Sequence, residues 1–182
     1  MRLKRLTLLS LSVLLLGSVT AQNKIVPDLY KNVDKVKMNH WVDSVFNRMT
    51  LDEKIGQTIM VMADGSNSEA NRKLLTGYVK NQHIGSIIFS KGTPQNQAEL
   101  TNLVQKNAKV PLMVALDGEW GLSMRLENTT RFPQNMMIGA IQEDSLVSYY
   151  GLEVARKCTE MGIPVNFAPD IDVNTNLANP FT

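Results

Sequence analysis

Three short apolar runs, Ile59-Met60-Val61-Met62, Gly85-Ser86-Ile87-Ile88-Phe89 and Leu112-Met113-Val114-Ala115-Leu116, begin near residues 59, 85 and 111, about 26 residues apart. Continuous apolar strands at such intervals, with helical periodicity between them, imply parallel βα units covered on both faces. The intervals carry that periodicity. Ser68 to Gln82 reads as a helix with Leu74, Leu75, Tyr78 and Val79 on one side, and Pro94 to Ala108 reads as a helix whose proline is tolerated in the first turn. A further helix from about Asp144 to Met161 leads into a fourth strand, Val165 to Ala168. Upstream, Trp41, Val45, Phe46 and Met49 form one helical stripe, and Thr50-Leu51-Asp52-Glu53 has the spacing of a capping box. The gap between the third and fourth strands is double, and 117–142 reads as a functional segment, since structureless connections beyond ~15 residues are uncommon in compact domains.

Two architectures fit: an open doubly wound sheet, or part of a (β/α)8 barrel. Both place binding groups after the C-terminal ends of the strands. Asp64 follows strand one, Asp117 and Glu119 follow strand three, and Asp170 and Asp172 follow strand four. No glycine-rich phosphate fingerprint follows any strand, which counts against a nucleotide-binding sheet. A barrel needs eight units and ~250 residues. The four units in this chain of 182 residues therefore make the N-terminal half of one, and the barrel reading implies a fragment.

The N-terminus reads as an address. Met1-Arg2-Leu3-Lys4-Arg5 is basic, Leu6 to Leu16 is mostly apolar, and Val19-Thr20-Ala21 offers small residues for cleavage. That is the pattern of a signal peptide over 1–21, with an apolar run shorter than the ~20 residues a membrane span needs. Residues 22–39 are polar and read as a flexible lead-in, and 40–182 as the partial domain. The whole chain has a formal charge of +2, but without the leader 16 basic residues face 17 acidic ones. A near-neutral exported chain argues against a polyanion-binding surface, and a single cysteine excludes an internal disulfide. The expected location is periplasmic or extracellular, with no membrane span and no nucleic-acid partner.

Asp117-Gly118-Glu119-Trp120-Gly121, followed by Arg125, carries the most chemistry. Carboxylates accept paired sugar hydroxyls, a guanidinium donates a planar fork, and an indole face covers the apolar face of a pyranose. Asp117 and Arg125 are thus candidate substrate-binding residues and Trp120 a candidate stacking residue. Neither Asp117 with Glu119 nor Asp170 with Asp172 is expected to converge on one bond as a catalytic pair. Asp170-x-Asp172-x-Asn174-x-Asn176 lacks the glycine and the closing acid of a calcium loop, having Thr175 and Phe181 there, so capping and turn chemistry is expected instead. His40 and His83 read as structural, Cys158 as a small buried residue, and Met60, Met62, Met113, Met136 and Met137 as core filling. No metal or cofactor is expected. Asn128-Thr129-Thr130 is a glycosylation sequon for a host that modifies exported chains.

Several segments together resemble glycoside hydrolase family 3. They are Leu51-Asp52-Glu53-Lys54-Ile55-Gly56-Gln57, Ile84 to Phe89, Ala115-Leu116-Asp117-Gly118-Glu119, Arg125-Leu126, Phe132-Pro133, Gly162 to Pro169 and Asp172-Val173-Asn174, in consistent order over about 40–180. The resemblance implies the N-terminal (β/α)8 domain, in the β-N-acetylhexosaminidase-like branch, and implies that Asp117 and Arg125 hold the non-reducing terminal sugar. Trp120 and Leu122 stand where the family commonly has Gly and Arg. The resemblance also implies that the nucleophile, the acid/base and a further sugar-binding Arg and Lys-His lie beyond Thr182, so no catalytic residue is assigned within the chain. The implied activity is retaining removal of terminal β-N-acetylhexosamine from glycans by the complete protein, with the 182 residues alone inactive and the missing half-barrel as their partner. The competing readings are a β-glucosidase of the same family and a non-catalytic carbohydrate-binding half-barrel.

Overall fold

A computed structural model of the chain describes residues 30–171, 175 and 178. The expected leader at 1–21, the lead-in up to residue 29, and Asp172, Asn174 and Asn176 lie outside the described residues. The chain divides into two units, Met1–His40 and Trp41–Thr182. In the first, Asp34 Oδ1 accepts the backbone N–H of Val36 and of Lys37, each at 3.1 Å. This capping aspartate starts helix α1 (Lys35–Phe46) inside the segment expected to be flexible.

In the second unit, the capping box at Thr50 is formed as expected. Thr50 Oγ1 accepts from the Glu53 N–H at 3.2 Å, and Glu53 Oε2 accepts from the Thr50 N–H at 2.9 Å, opening α2 (Leu51–Gln57). Strands and helices then alternate: β1 (Met60–Gly65), α3 (Glu69–Asn81), β2 (Ser86–Gly92), α4 (Pro94–Asn107) and β3 (Met113–Leu116). After β3 come a 3-10 turn at Leu122–Met124, the short α5 (Asn135–Gly139), α6 (Asp144–Glu160) and β4 (Val165–Asn166). Ser68 and Thr93 cap α3 and α4 through their hydroxyls, and Pro94 takes the first helical turn. The fourth strand is two residues rather than the expected four, and β1 runs on through Asp64, which sits within the strand end rather than after it.

All pairings are parallel and the strand order is β1-β2-β3-β4. Sequential order rejects the doubly wound alternative, in which the winding reverses at a switch point. Crossovers of the usual right hand between successive neighbours deliver α3, α4 and α6 to the same side. The core shows it: Ile87, Phe89, Val114 and Leu116 pack with Leu75 and Val79 of α3, Leu100 and Val104 of α4, and Val154 and Cys158 of α6. The described residues thus form three consecutive βα units and the fourth strand of a (β/α)8 barrel.

The opposite face is open, as expected of half a barrel, although a complete parallel sheet has both faces covered. Met60, Met62 and Met113 are 36%, 72% and 50% exposed, and Ile88 and Val165 are only half-buried. These methionines line the side of the sheet on which no helix packs among the described residues, so they do not fill the core described above. Met136 and Met137 are exposed on α5, and Leu74 is exposed at the edge of the α3 stripe. Cys158 is buried as expected, and burial pushes its thiol pKa up. No helix among the described residues is long and apolar enough to cross a membrane.

Candidate functional site

The chain leaves β3 at Leu116 and enters the segment predicted to be functional. Arg125 turns back onto its start: its Nε donates to the Asp117 carbonyl at 2.9 Å, and its Nη2 forms an ion pair with Asp117 Oδ2. The 3-10 turn makes this possible by reversing the chain between the two residues, and it is held to β2 by the Gly92 N–H donating to the Arg125 carbonyl at 3.1 Å. Both side chains stay about one-third exposed, 30% for Arg125 and 35% for Asp117, so the pair is not sealed off from solvent. The structure therefore brings the two predicted substrate-binding residues together.

Gly121 is the hinge of the reversal. Its φ of +90° is a conformation that L side chains rarely adopt, and a Cβ there would lie 2.8 Å from Phe132 Cδ2. Phe132 in turn meets the Tyr150 ring edge-on, with centroids 5.2 Å apart at 76°. The Tyr150 hydroxyl donates to the Glu119 carbonyl at 2.8 Å, tying the loop to α6.

At the end of β4, Asn166 clamps the residue after Asp117. Its Oδ1 accepts the Gly118 N–H at 2.9 Å and its Nδ2 donates to the Gly118 carbonyl at 3.2 Å. Asp117, Glu119, Asn166, Phe167, Ala168, Pro169, Asp170 and Ile171 line an open pocket of about 540 Å³ above these strand ends. The peptide between Ala168 and Pro169 is cis. Trp120 is half-buried and is not among the pocket walls, so the described geometry does not place it as a stacking platform.

Asp117 and Glu119 line the same pocket, correcting the expectation that they point to opposite faces: Glu119 lies in the turn after Asp117 and not in an extended segment. Burial, and then the charges of Asp117 and Asp170, raise the Glu119 carboxyl pKa above the ordinary glutamate value. Its Oε2 accepts from Asn135 Nδ2 at 3.1 Å. Burial also raises the Tyr150 phenol pKa, with Glu119 contributing. Asp64, further along the same rim, pairs with Lys91 at 3.4 Å. Among the described residues no group of three His, Cys, Asp or Glu side chains is placed to hold a metal ion.

This site offers acceptors (Asp117, Asp170), a donor fork (Arg125) and a carboxyl that holds its proton to higher pH than usual (Glu119). Such a mixture suits a polyhydroxylated neutral ligand. The sequence reading missed Asn166, Tyr150 and Asn135, which hold the loop. Only Asn166 left a trace, as an amide inside an otherwise apolar strand end.

Comparison with known proteins places the chain among carbohydrate-active enzymes. The model of the glycosyl hydrolase family 3 N terminal domain matches residues 50–182. A "Beta-N-acetylglucosaminidase/beta-glucosidase" of Cellulomonas fimi is 28% identical over 142 residues, covering 78% of this chain and 24% of that protein. "Beta-hexosaminidase A" of Pseudoalteromonas piscicida is 35% identical over 109 residues, covering 53% and 18%. Among solved structures, the beta-glucoside phosphorylase BglX bound to 2FGlc superposes with a TM-score of 0.69 at 23% identity, over 77% of this chain and 25% of that one. That likeness supports the fold. The chain thus spans about a quarter or less of the length of these proteins.

Proposed function

The chain belongs to glycosyl hydrolase family 3, and on that premise we propose that the complete protein is a β-N-acetylhexosaminidase that removes terminal non-reducing sugars from glycans with retention. The observation that carries the reading is Asp117 at the carboxyl end of β3, on the wall of a carboxylate-lined pocket and ion-paired with Arg125 behind it. In this reading Asp117 Oδ1 accepts ring hydroxyls of the terminal sugar while Oδ2 stays on Arg125. The remaining guanidinium N–H groups donate to the same sugar. Asp117 and Arg125 bind and orient. Retaining cleavage further requires a nucleophile and an acid/base, ~5–5.5 Å apart where both are carboxyls, and neither role is assigned to a described residue. Trp120 covers an apolar sugar face only if its indole turns toward the pocket on binding.

The names of the two curated relatives support an N-acetylhexosamine substrate. The dual name of the Cellulomonas fimi relative supports a second reading, a β-glucosidase. Turnover of aryl β-N-acetylglucosaminide and aryl β-glucoside by the full-length protein separates them, and preference for the glucoside overturns our choice. Asp117→Asn tests the site. Losing a charge-assisted hydrogen bond costs ~1.5–3 kcal/mol, so kcat/KM should fall by roughly 10- to 150-fold. We further propose export to the periplasm or cell exterior through cleavage after Ala21, which N-terminal sequencing of the mature protein checks.

A further inference from the structure

The end of the sheet opposite the sugar pocket carries a second cavity. It measures about 300 Å³ and lies at the amino-terminal ends of the strands, where the end of α1, α2, the α3–β2 turn and the α4–β3 turn meet. Its walls include Val45, Met49, Val79, Ile84 and Val110, and its polar groups are Arg48, Glu53, Gln57, His83 and Lys109.

The donor and acceptor inventory of those polar groups is lopsided. Glu53, the one carboxylate, has both oxygens occupied: Oε1 pairs with Lys109 Nζ, and Oε2 accepts the Thr50 N–H of the capping box. Gln57 donates through Nε2 to the His83 carbonyl at 2.8 Å, leaving its Oε1 as a single neutral acceptor. Arg48 is anchored by Nε, which donates to the Ser44 carbonyl at 2.7 Å, so its two Nη groups form a fixed fork with four further N–H donors. Lys109 keeps two N–H groups beyond its bond to Glu53. The His83 ring adds one donor when neutral and two when charged. A cation entering this cavity finds its only carboxylate engaged, whereas an anion finds a surplus of oriented donors beside an apolar wall.

We propose that this cavity binds a small carboxylate carried on a short apolar body, with the Arg48 fork on the carboxylate and the apolar part against Val45, Met49, Val79 and Ile84. Planar bidentate pairing favours a carboxylate at the arginine, and a volume of about 300 Å³ lies at the lower end of the range for ligand pockets. The site is separate from the Asp117–Arg125 pair because the two open at opposite ends of the same parallel strands. It therefore does not depend on the sugar specificity proposed above.

Titration calorimetry of the full-length protein with benzoate and with its uncharged isostere benzamide tests this without any variant. Benzoate should bind at least tenfold more tightly than benzamide, unaffected by saturating N-acetylglucosamine. Arg48 is exposed, so Arg48→Gln should leave the thermal melt unchanged while weakening benzoate at least tenfold. Arg48→Lys should recover part of that loss. Equal binding of benzoate and benzamide, no benzoate binding at millimolar concentration, competition by N-acetylglucosamine, or an Arg48→Gln protein that binds benzoate like the parent would each overturn the proposal.

Discussion

Replacing Asn166 tests the geometry of the sugar pocket most directly, because one side chain there holds both backbone groups of Gly118 across 48 positions of sequence. Asn166→Ala removes a 2.9 Å acceptor and a 3.2 Å donor together. Each net hydrogen bond is worth ~1 kcal/mol, and leaving a buried backbone group unpaired raises the cost, so a loss of about 2–3 kcal/mol is expected. Gly118 follows Asp117 directly, so the same change frees the carboxylate to shift, and misplacement by ~1 Å can cost a factor of ~100. Asn166→Asp sharpens the test. It keeps the acceptor for the Gly118 N–H but turns a second oxygen toward the Gly118 carbonyl, so at neutral pH it should be no more stable than the alanine variant. Below the aspartate pKa the carboxyl can donate again and recover part of the loss. The assay is the urea midpoint of the full-length protein at pH 7 and pH 4, alongside N-acetylglucosamine affinity. Parental stability and affinity in Asn166→Asp at pH 7 would sink the reasoning, because then only the acceptor would matter.

Three other outcomes follow from the same structure. Gly121→Ala places a Cβ 2.8 Å from Phe132 at a φ of +90°; backbone strain alone costs ~1–3 kcal/mol, so urea unfolding should shift to lower denaturant and sugar binding should weaken, and parental values in both would contradict the hinge role. Glu53 has its pKa lowered from 4.5 to about 2, first by the Lys109 hydrogen bond and then by the Thr50 N–H; its contribution is complete above about 4.5 and lost as pH falls toward 2, so unfolding midpoints measured between those values should fall more steeply for the parent than for Glu53→Gln. Glu119 shifts the other way, because burial raises its pKa in the folded state; stability should decline as pH rises from 4.5 through its folded range, Glu119→Gln should lack that decline, and parallel pH profiles would contradict the assignment.

The sequence was informative wherever one local rule decided the outcome. The capping box at Thr50 and the proline opening α4 lie within four residues of what they control, and α2, α3 and α4 begin within a residue of where they were expected, with the Ser68 and Thr93 hydroxyls found as caps only in the structure. Asp34 obeys the same rule, but its polar, lysine-rich surroundings concealed the helix it starts. The faces of the sheet were not legible. Ile87 and Met62 are both apolar strand residues, yet one is fully buried and the other 72% exposed. That difference depends on the side to which three successive crossovers deliver their helices. The clamp from Asn166 to Gly118 and the bond from Tyr150 to Glu119 were hidden for a similar reason: partners 48 and 31 positions apart leave no periodicity to read.

Strand parity connects the bare face to the sugar pocket. Met60, Met62 and Asp64 alternate onto one side of β1, and Met113, Ala115 and Asp117 onto the same side at β3, since Met62 is in register with Ile88 and Ile88 with Ala115. The exposed methionines and the rim carboxylates thus share one side of the sheet, apolar along its length and acidic at its carboxyl end, with Ala115 buried between them on β3. On β2 the parity would put Ser90 beside Asp64, but the register shifts after Ala63, and Asp64 pairs with Lys91 instead. The extra residue in β2 rotates a lysine onto the acidic rim, where it meets Asp64 at 3.4 Å. Without the bulge, Lys91 would point toward the helix side, where its ammonium would lose solvation. One inserted residue therefore balances the charge of Asp64 at the mouth of the sheet, as Arg125 does for Asp117.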